Sequence, residues 1–158
     1  MPLRRATSIV AAVFVPSVLA AQQSEAAARA GVDQTNRGFM SAFKAGDAAA
    51  AAALYAPNVI VVEPDGARYE GRTKVGALVK QYMSLFDFTG FDITVDSFGS
   101  SGNLAWAGGK EIATLADKKS KKSTSETDTY LAVYERQADG KWLMRYLQET
   151  PLPKPGTK

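Results

Sequence analysis

Neither cysteine nor histidine occurs among the 158 residues. The first absence excludes disulfides, a thiol nucleophile and a lipoprotein anchor cysteine. The second excludes a Ser-His-Asp triad, an imidazole base and a His-ligated zinc, copper or haem. A metal would have to be a hard, oxygen-bound cation such as calcium or magnesium. The scattered Asp92, Asp96, Asp117 and Asp128 have no calcium-loop spacing, so no metal and no cofactor is expected. Acid–base chemistry then falls to carboxylates, tyrosine or lysine.

A strong excess of one charge is lacking as well. The 19 Lys and Arg face 16 Asp and Glu, and Arg4 and Arg5 lie in a segment read below as removed. The remainder is close to neutral, so it exerts no general attraction on nucleic acid or an anionic membrane. The one basic run, Lys118-Lys119-Ser120-Lys121-Lys122, has no interleaved aromatic to stack a base. It reads as a solvated hairpin tip that discourages edge-to-edge pairing.

A long apolar run is missing too. Residues 1–20 start with two arginines and continue through a short apolar stretch broken by Thr7, Ser8, Pro16 and Ser17. That pattern reads as a secretory signal cut after Ala20 or Ala21, too short to span a bilayer needing ~20 apolar residues. The protein is thus expected in the periplasm or outside the cell, with no stable membrane anchor after cleavage. The bulky apolar pair of a twin-arginine signal is absent, which favours the ordinary export route.

What is present suffices for one domain. An apolar share of 46% can build a core without crosslinks. Residues 21–30 are polar and alanine-rich and read as a linker or frayed turn. A helix is expected over 31–45, where Val32, Phe39, Met40 and Phe43 share one stripe. Gly46 ends it, and Asp47 caps a second, alanine-rich helix reaching Tyr55. Val59 to Val62 is a β-branched strand, Pro64-Asp65-Gly66 a tight turn, and 68–70 the returning strand. A third helix is expected over 72–86, capped by Thr73. From Gly90 the apolar period becomes two, giving four successive strands joined by turns near 99–102, 117–124 and 138–140. Pro151, Pro153 and Pro155 make a short tail over 151–158. The expected domain, 31–150, is α+β: three helices covering one face of a curved, mostly antiparallel sheet, with a cone-shaped hollow between the layers.

Glu63 is the most chemically suggestive residue, a carboxylate closing an apolar strand directly before Pro64. At the mouth of an apolar hollow its pKa would rise towards the range useful for proton abstraction. Tyr55, Tyr82, Trp106, Tyr130, Tyr134 and Trp142 are candidates to line a pocket for a flat or apolar molecule. On the last strand Trp142, Met144 and Tyr146 share a face. That face carries no charge and is expected to point inward.

Several strings resemble the NTF2-like superfamily, in particular its SnoaL-like and DUF4440 branches and ketosteroid isomerase. They are Phe39-Met-Ser-Ala-Phe-Lys-Ala-Gly-Asp47, Leu54-Tyr-Ala-Pro-Asn-Val-Ile-Val-Val62, Pro64-Asp-Gly66, Gly71-Arg-Thr-Lys-Val75 and Tyr134-Glu-Arg-Gln-Ala-Asp-Gly-Lys-Trp142. The resemblance implies a fold shared by isomerases, dehydratases, cyclases, binding proteins and structural dimer modules. Homodimers through the outer sheet face are one such expectation. Carried over from ketosteroid isomerase, Glu63-Pro64 falls on the base-proline pair, and the oxyanion tyrosine falls on Phe39, which has no hydroxyl. The protonated acid falls near Tyr130, with Asp128 and Thr129 as alternatives. The resemblance therefore implies a small molecule in the cone, with Phe39 and Phe43 joining the aromatic lining. If the protein is an enzyme, it also implies Glu63 as base and Tyr130 as hydrogen-bond donor.

Overall fold

The computed structural model describes residues 16–152; the export segment expected at residues 1–20 falls mostly outside that range, as does the end of the proline-rich tail. The first helix, α1, spans Pro16–Ala45. It runs straight through the expected linker at 21–30, and Ala28 within that stretch is already buried. Alanine-rich polar sequence is good helix former, and one packed face was enough to extend the helix. Gly46 adopts a positive φ of 66° and closes α1. Asp47 follows, its carboxylate accepting from the Ala50 amide at 2.9 Å to cap α2, Ala48–Ala53. This helix stops two residues earlier than expected, because Tyr55 and Ala56 are drawn into strand β1, Tyr55–Val62, where both are buried.

A turn then leads to β2, Arg68–Glu70, and on to α3, Arg72–Leu85. The cap of α3 is Gly71, with no side-chain bond, rather than Thr73. Four long strands complete the chain: β3 Phe86–Ser101, β4 Leu104–Asp117, β5 Ser123–Arg136 and β6 Trp142–Pro151. They form the expected antiparallel meander. Pro151 still pairs with Asp128, so the sheet extends one residue into the expected tail.

The six strands make one sheet in the order β2-β1-β6-β5-β4-β3. All neighbours are antiparallel except β1 and β6, which run parallel. Register shifts at Phe88/Gly90 and Val95/Ser97 on β3 bend the long β3–β4 ribbon, as bulges do. The helices cover the concave face so formed. Two buried polar pairs tie α1 to the sheet: the Thr35 hydroxyl donates to the Trp142 carbonyl at 2.6 Å, and the Tyr134 hydroxyl donates to Asn36 Oδ1 at 2.7 Å.

The register shift between Val133 and Tyr134 changes side-chain parity on β6. Trp142 and Met144 point inward as expected, but beyond them the inward positions are Leu147 and Glu149 rather than Tyr146. Strand alternation counts residues, so one extra residue reverses every face after it.

The convex face is left open and carries an apolar row. Leu104, Trp106, Ile112 and Leu131 are all exposed, Trp106 at 44%. The basic tip between β4 and β5 is solvated as expected, with Lys118 turned back to bond the Met83 carbonyl at 2.7 Å and to pair with Asp87 at 3.3 Å.

Candidate functional site

Glu63 stands one residue past β1, where two backbone bonds hold it. Its amide donates to the Ala67 carbonyl, and its carbonyl accepts from the Gly66 amide, each at 2.9 Å. The turn is fastened again by Asp65, whose carboxylate accepts from the Ala67 amide at 2.8 Å. In the parallel register Val61 lies beside Leu147. Two residues further on, on the same face, Glu63 therefore comes beside Glu149. The tight turn that the sequence displays thus positions this carboxylate.

Glu63 opens onto a cavity of about 150 Å³ between α1, α3 and the concave sheet. One wall is aromatic. Phe43 of α1 stacks on Phe91 of β3 with centroids 4.5 Å apart, and Phe88 meets Phe43 edge-on at 4.8 Å. α3 supplies Val75, Leu78, Val79 and Tyr82. The facing wall is acidic: Glu111 from β4, Glu126 and Asp128 from β5, and Glu149 from β6 line it together with Glu63. Glu111 and Asp128 are register partners, and Glu149 is the partner of Tyr130. Among the described residues neither lysine nor arginine lines the cavity.

Glu63, Glu111, Asp128 and Glu149 are drawn partly out of water and lie close to one another, and both effects disfavour the charged form. Burial raises the pKa of Glu111 to about 8, with Asp128 and Glu63 adding repulsion. Glu149 is pushed well above the carboxylate range by burial, then by Glu111, Glu63 and Asp128. Glu63 is raised by burial, an effect that the Tyr82 bond opposes. Asp128 is raised by burial and by Glu126. The Tyr82 hydroxyl donates to Glu63 Oε2 at 2.9 Å, and burial together with that bond raises its own pKa.

Of the residues singled out in the sequence, Glu63, Phe43, Tyr55 and Tyr82 meet at this cavity. Phe39 lies behind it, buried against Tyr55 with ring centroids 4.9 Å apart. The remaining four are elsewhere. Tyr130 is buried, and its hydroxyl donates to the Thr94 carbonyl at 3.1 Å rather than into the cavity. Tyr134 is engaged with Asn36. Trp142 packs under α1 at Gly31, where an added Cβ would come within 2.1 Å of the indole. Trp106 lies on the convex face over Gly99, because β4 alternates Ala105 and Ala107 inward and Trp106 outward. Charge took the place of those aromatics. Glu111 and Glu149 went unremarked in the sequence, although Glu111 shares an inward-facing register with Ala113 and Leu115.

The SnoaL-like domain family matches residues 36–144, more than half of the chain. The chain belongs to the SnoaL-like family. The match covers Glu63, Glu111 and Asp128 and stops short of Glu149. Solved structures agree on the fold of this SnoaL-like protein. A ketosteroid isomerase-like protein from Erwinia carotovora atroseptica superposes with a TM-score of 0.70 at 15% identity, covering 79% of this chain and 96% of that one. An NTF2-like superfamily protein from Salmonella enterica gives 0.64 at 14%, covering 89% and 96%. A candidate dehydratase of the NTF2-like family from Streptomyces avermitilis gives 0.64 at 16%, covering 82% and 99%. At such identities the likeness is one of fold. No curated protein matches the SnoaL-like chain in sequence.

Proposed function

We propose that this is an exported protein that binds a small molecule, about one aromatic ring in size, in the acidic–aromatic cavity. The supporting observation is the cavity itself: about 150 Å³ left unfilled, in a class of interior that otherwise packs to near-crystalline density. A void of that volume accommodates a benzene-sized body. Binding to the folded form alone raises stability by about 2.7 kcal/mol at a hundredfold excess over Kd. One-ring compounds screened by thermal shift should therefore include some that raise the melting temperature in step with concentration. A complete screen with no such compound would remove the reading.

A second reading is favoured by the Tyr82–Glu63 bond and by the acid opposite it. Here the cavity performs a cofactor-independent proton transfer, of the isomerase, dehydratase or cyclase type. Glu63 takes the proton, and a protonated Glu111 donates a hydrogen bond to the developing oxyanion, the part that the sequence assigned to Tyr130. Positioned general bases contribute about 10²- to 10⁴-fold in rate. Glu63→Gln should cost turnover on that scale and leave the melting temperature equal or higher, because a desolvated charge is removed. Turnover equal to that of the parent protein would exclude Glu63 as the base.

A further inference from the structure

We infer that the ligand of this cavity is an organic cation, an amine or quaternary ammonium group on an apolar body of about one ring. The inference rests on the binding reading above and specifies its chemistry.

Three observations carry it. First, the charged lining is of one sign: among the described residues it has five carboxyls and no basic side chain. No positive side chain is there to balance the charge of an anion. Second, Glu111 and Glu149 face the cavity half-buried, and among the described residues neither side chain has a hydrogen bond or ion pair. Carboxyls drawn partly out of water are stabilised by a hydrogen-bonding or charged partner, and the unfilled space in front of these two has room for one that arrives from outside. A neutral hydrocarbon would leave both unsatisfied. Third, the wall opposite is the Phe43–Phe88–Phe91 cluster. Its ring faces attract a desolvated cation, and they suit the apolar part of the same molecule. Among the described residues the carboxyls do not converge into a set that could hold a metal ion. The positive charge must therefore come on a body that fills space.

The charge balance follows. In the empty cavity the crowded carboxyls retain protons near neutral pH. A cation that settles among them favours the ionised form, so a proton leaves for solvent as the cation enters. Of the groups facing Glu111, Asp128 and Glu63 repel its charge, and none is basic. Glu63 and Tyr55 come from β1 and its turn, Tyr82 from α3, Glu126 and Asp128 from β5, and Glu149 from β6. β3 and α1 present only phenylalanine. Cation affinity should accordingly rise with pH through about 8, as Glu111 becomes ionised unaided.

Phenyltrimethylammonium and tert-butylbenzene have the same shape and differ in charge, and neither titrates. Isothermal titration calorimetry of the purified protein with each, and with benzoate, separates charge from shape. We expect the cation to bind at least tenfold more tightly than its neutral isostere at pH 9. At pH 7, comparison of two buffers of different ionisation enthalpy should show proton release. Glu111→Gln and Glu149→Gln should each weaken the cation at least tenfold at pH 9, and weaken it more than they weaken tert-butylbenzene. If tert-butylbenzene or benzoate binds as tightly as the cation, or if no proton is released, the inference is overturned while the pocket reading stands. If none of the three binds, and the one-ring screen is also empty, both fall together.

Discussion

Replacing Glu111 by glutamine should raise the melting temperature, and raise it most at alkaline pH. The folded-state pKa of Glu111 lies near 8, against 4.5 for the free side chain, chiefly because it is buried. Between those two values the folded protein holds a proton that the unfolded chain has released. Stability then falls as pH rises, by about 1.4 kcal/mol per pH unit for each such proton. Below pH 4.5 both states are protonated and no penalty exists; above pH 8 both are ionised and the penalty is complete. Glu63, Glu149 and Asp128 are shifted in the same direction, so the parent protein should melt at a lower temperature at pH 9 than at pH 5. Glutamine keeps the shape and cannot ionise. Allowing for relief by solvent at the cavity mouth, the gain at pH 9 is about 2–4 kcal/mol, or roughly 4–16 °C for a chain of this size. At pH 5 the two proteins should melt close together. A parent curve flat from pH 5 to pH 9, or a variant that melts lower at pH 9, would show that these carboxyls are not withdrawn from water.

Gly109→Ala should be among the most damaging single-methyl additions. An alanine Cβ at this position would sit 2.0 Å from the Thr94 carbonyl oxygen and 2.8 Å from its carbon. The obstacle is backbone on the neighbouring strand, at the bulge between Val95 and Ser97, so rotation of a side chain cannot relieve it. Thr94 cannot simply retreat, because its carbonyl also accepts the Tyr130 hydroxyl at 3.1 Å. Overpacking of this kind costs about 3 kcal/mol, which lowers the melting temperature by roughly 6–12 °C. Gly102→Ala is the natural control. It lies in the β3–β4 turn at a φ of +61° with nothing within 4 Å of the added carbon, so only a backbone cost of about 1–2 kcal/mol applies. Equal losses in the two variants would mean that the strands are not in such close approach.

The parts of this molecule governed by short-range chemistry were legible in the sequence. Asp47 as a cap, the Glu63-Pro64-Asp65-Gly66 turn, the α3 stripe and the four-strand meander all follow from periodicity and turn preference. The misreadings concern long-range packing. Residues 24–30 are helical because one face of them is covered. Tyr55 is a strand residue because β6 lies alongside it. Tyr146 turns outward because of a single register shift, which no local signal announces. The site was half visible for the same reason. Glu63 is announced by the turn beside it, whereas Glu111, Asp128 and Glu149 become neighbours only when three strands align. Aromatic residues drew the eye to Trp106, Tyr130, Tyr134 and Trp142, and each of these turned out to brace the sheet or to coat its outside.

The parallel pairing of β1 with β6 has a consequence for synthesis. The strand that delivers Glu63 emerges early, and its neighbour in the sheet is the last strand to be made. Asn36 and Thr35 must likewise wait for partners 98 and 107 residues downstream. A nascent chain halted after β5 would possess three of the four meander strands but could not seat its first hairpin, and the hollow would lack one side. Completion of the binding wall is thus tied to the final stretch of polypeptide, and contacts of such sequence separation slow folding. Loss of the C-terminal strand would leave Glu63, Glu111 and Asp128 in the chain and the chamber they line unbuilt.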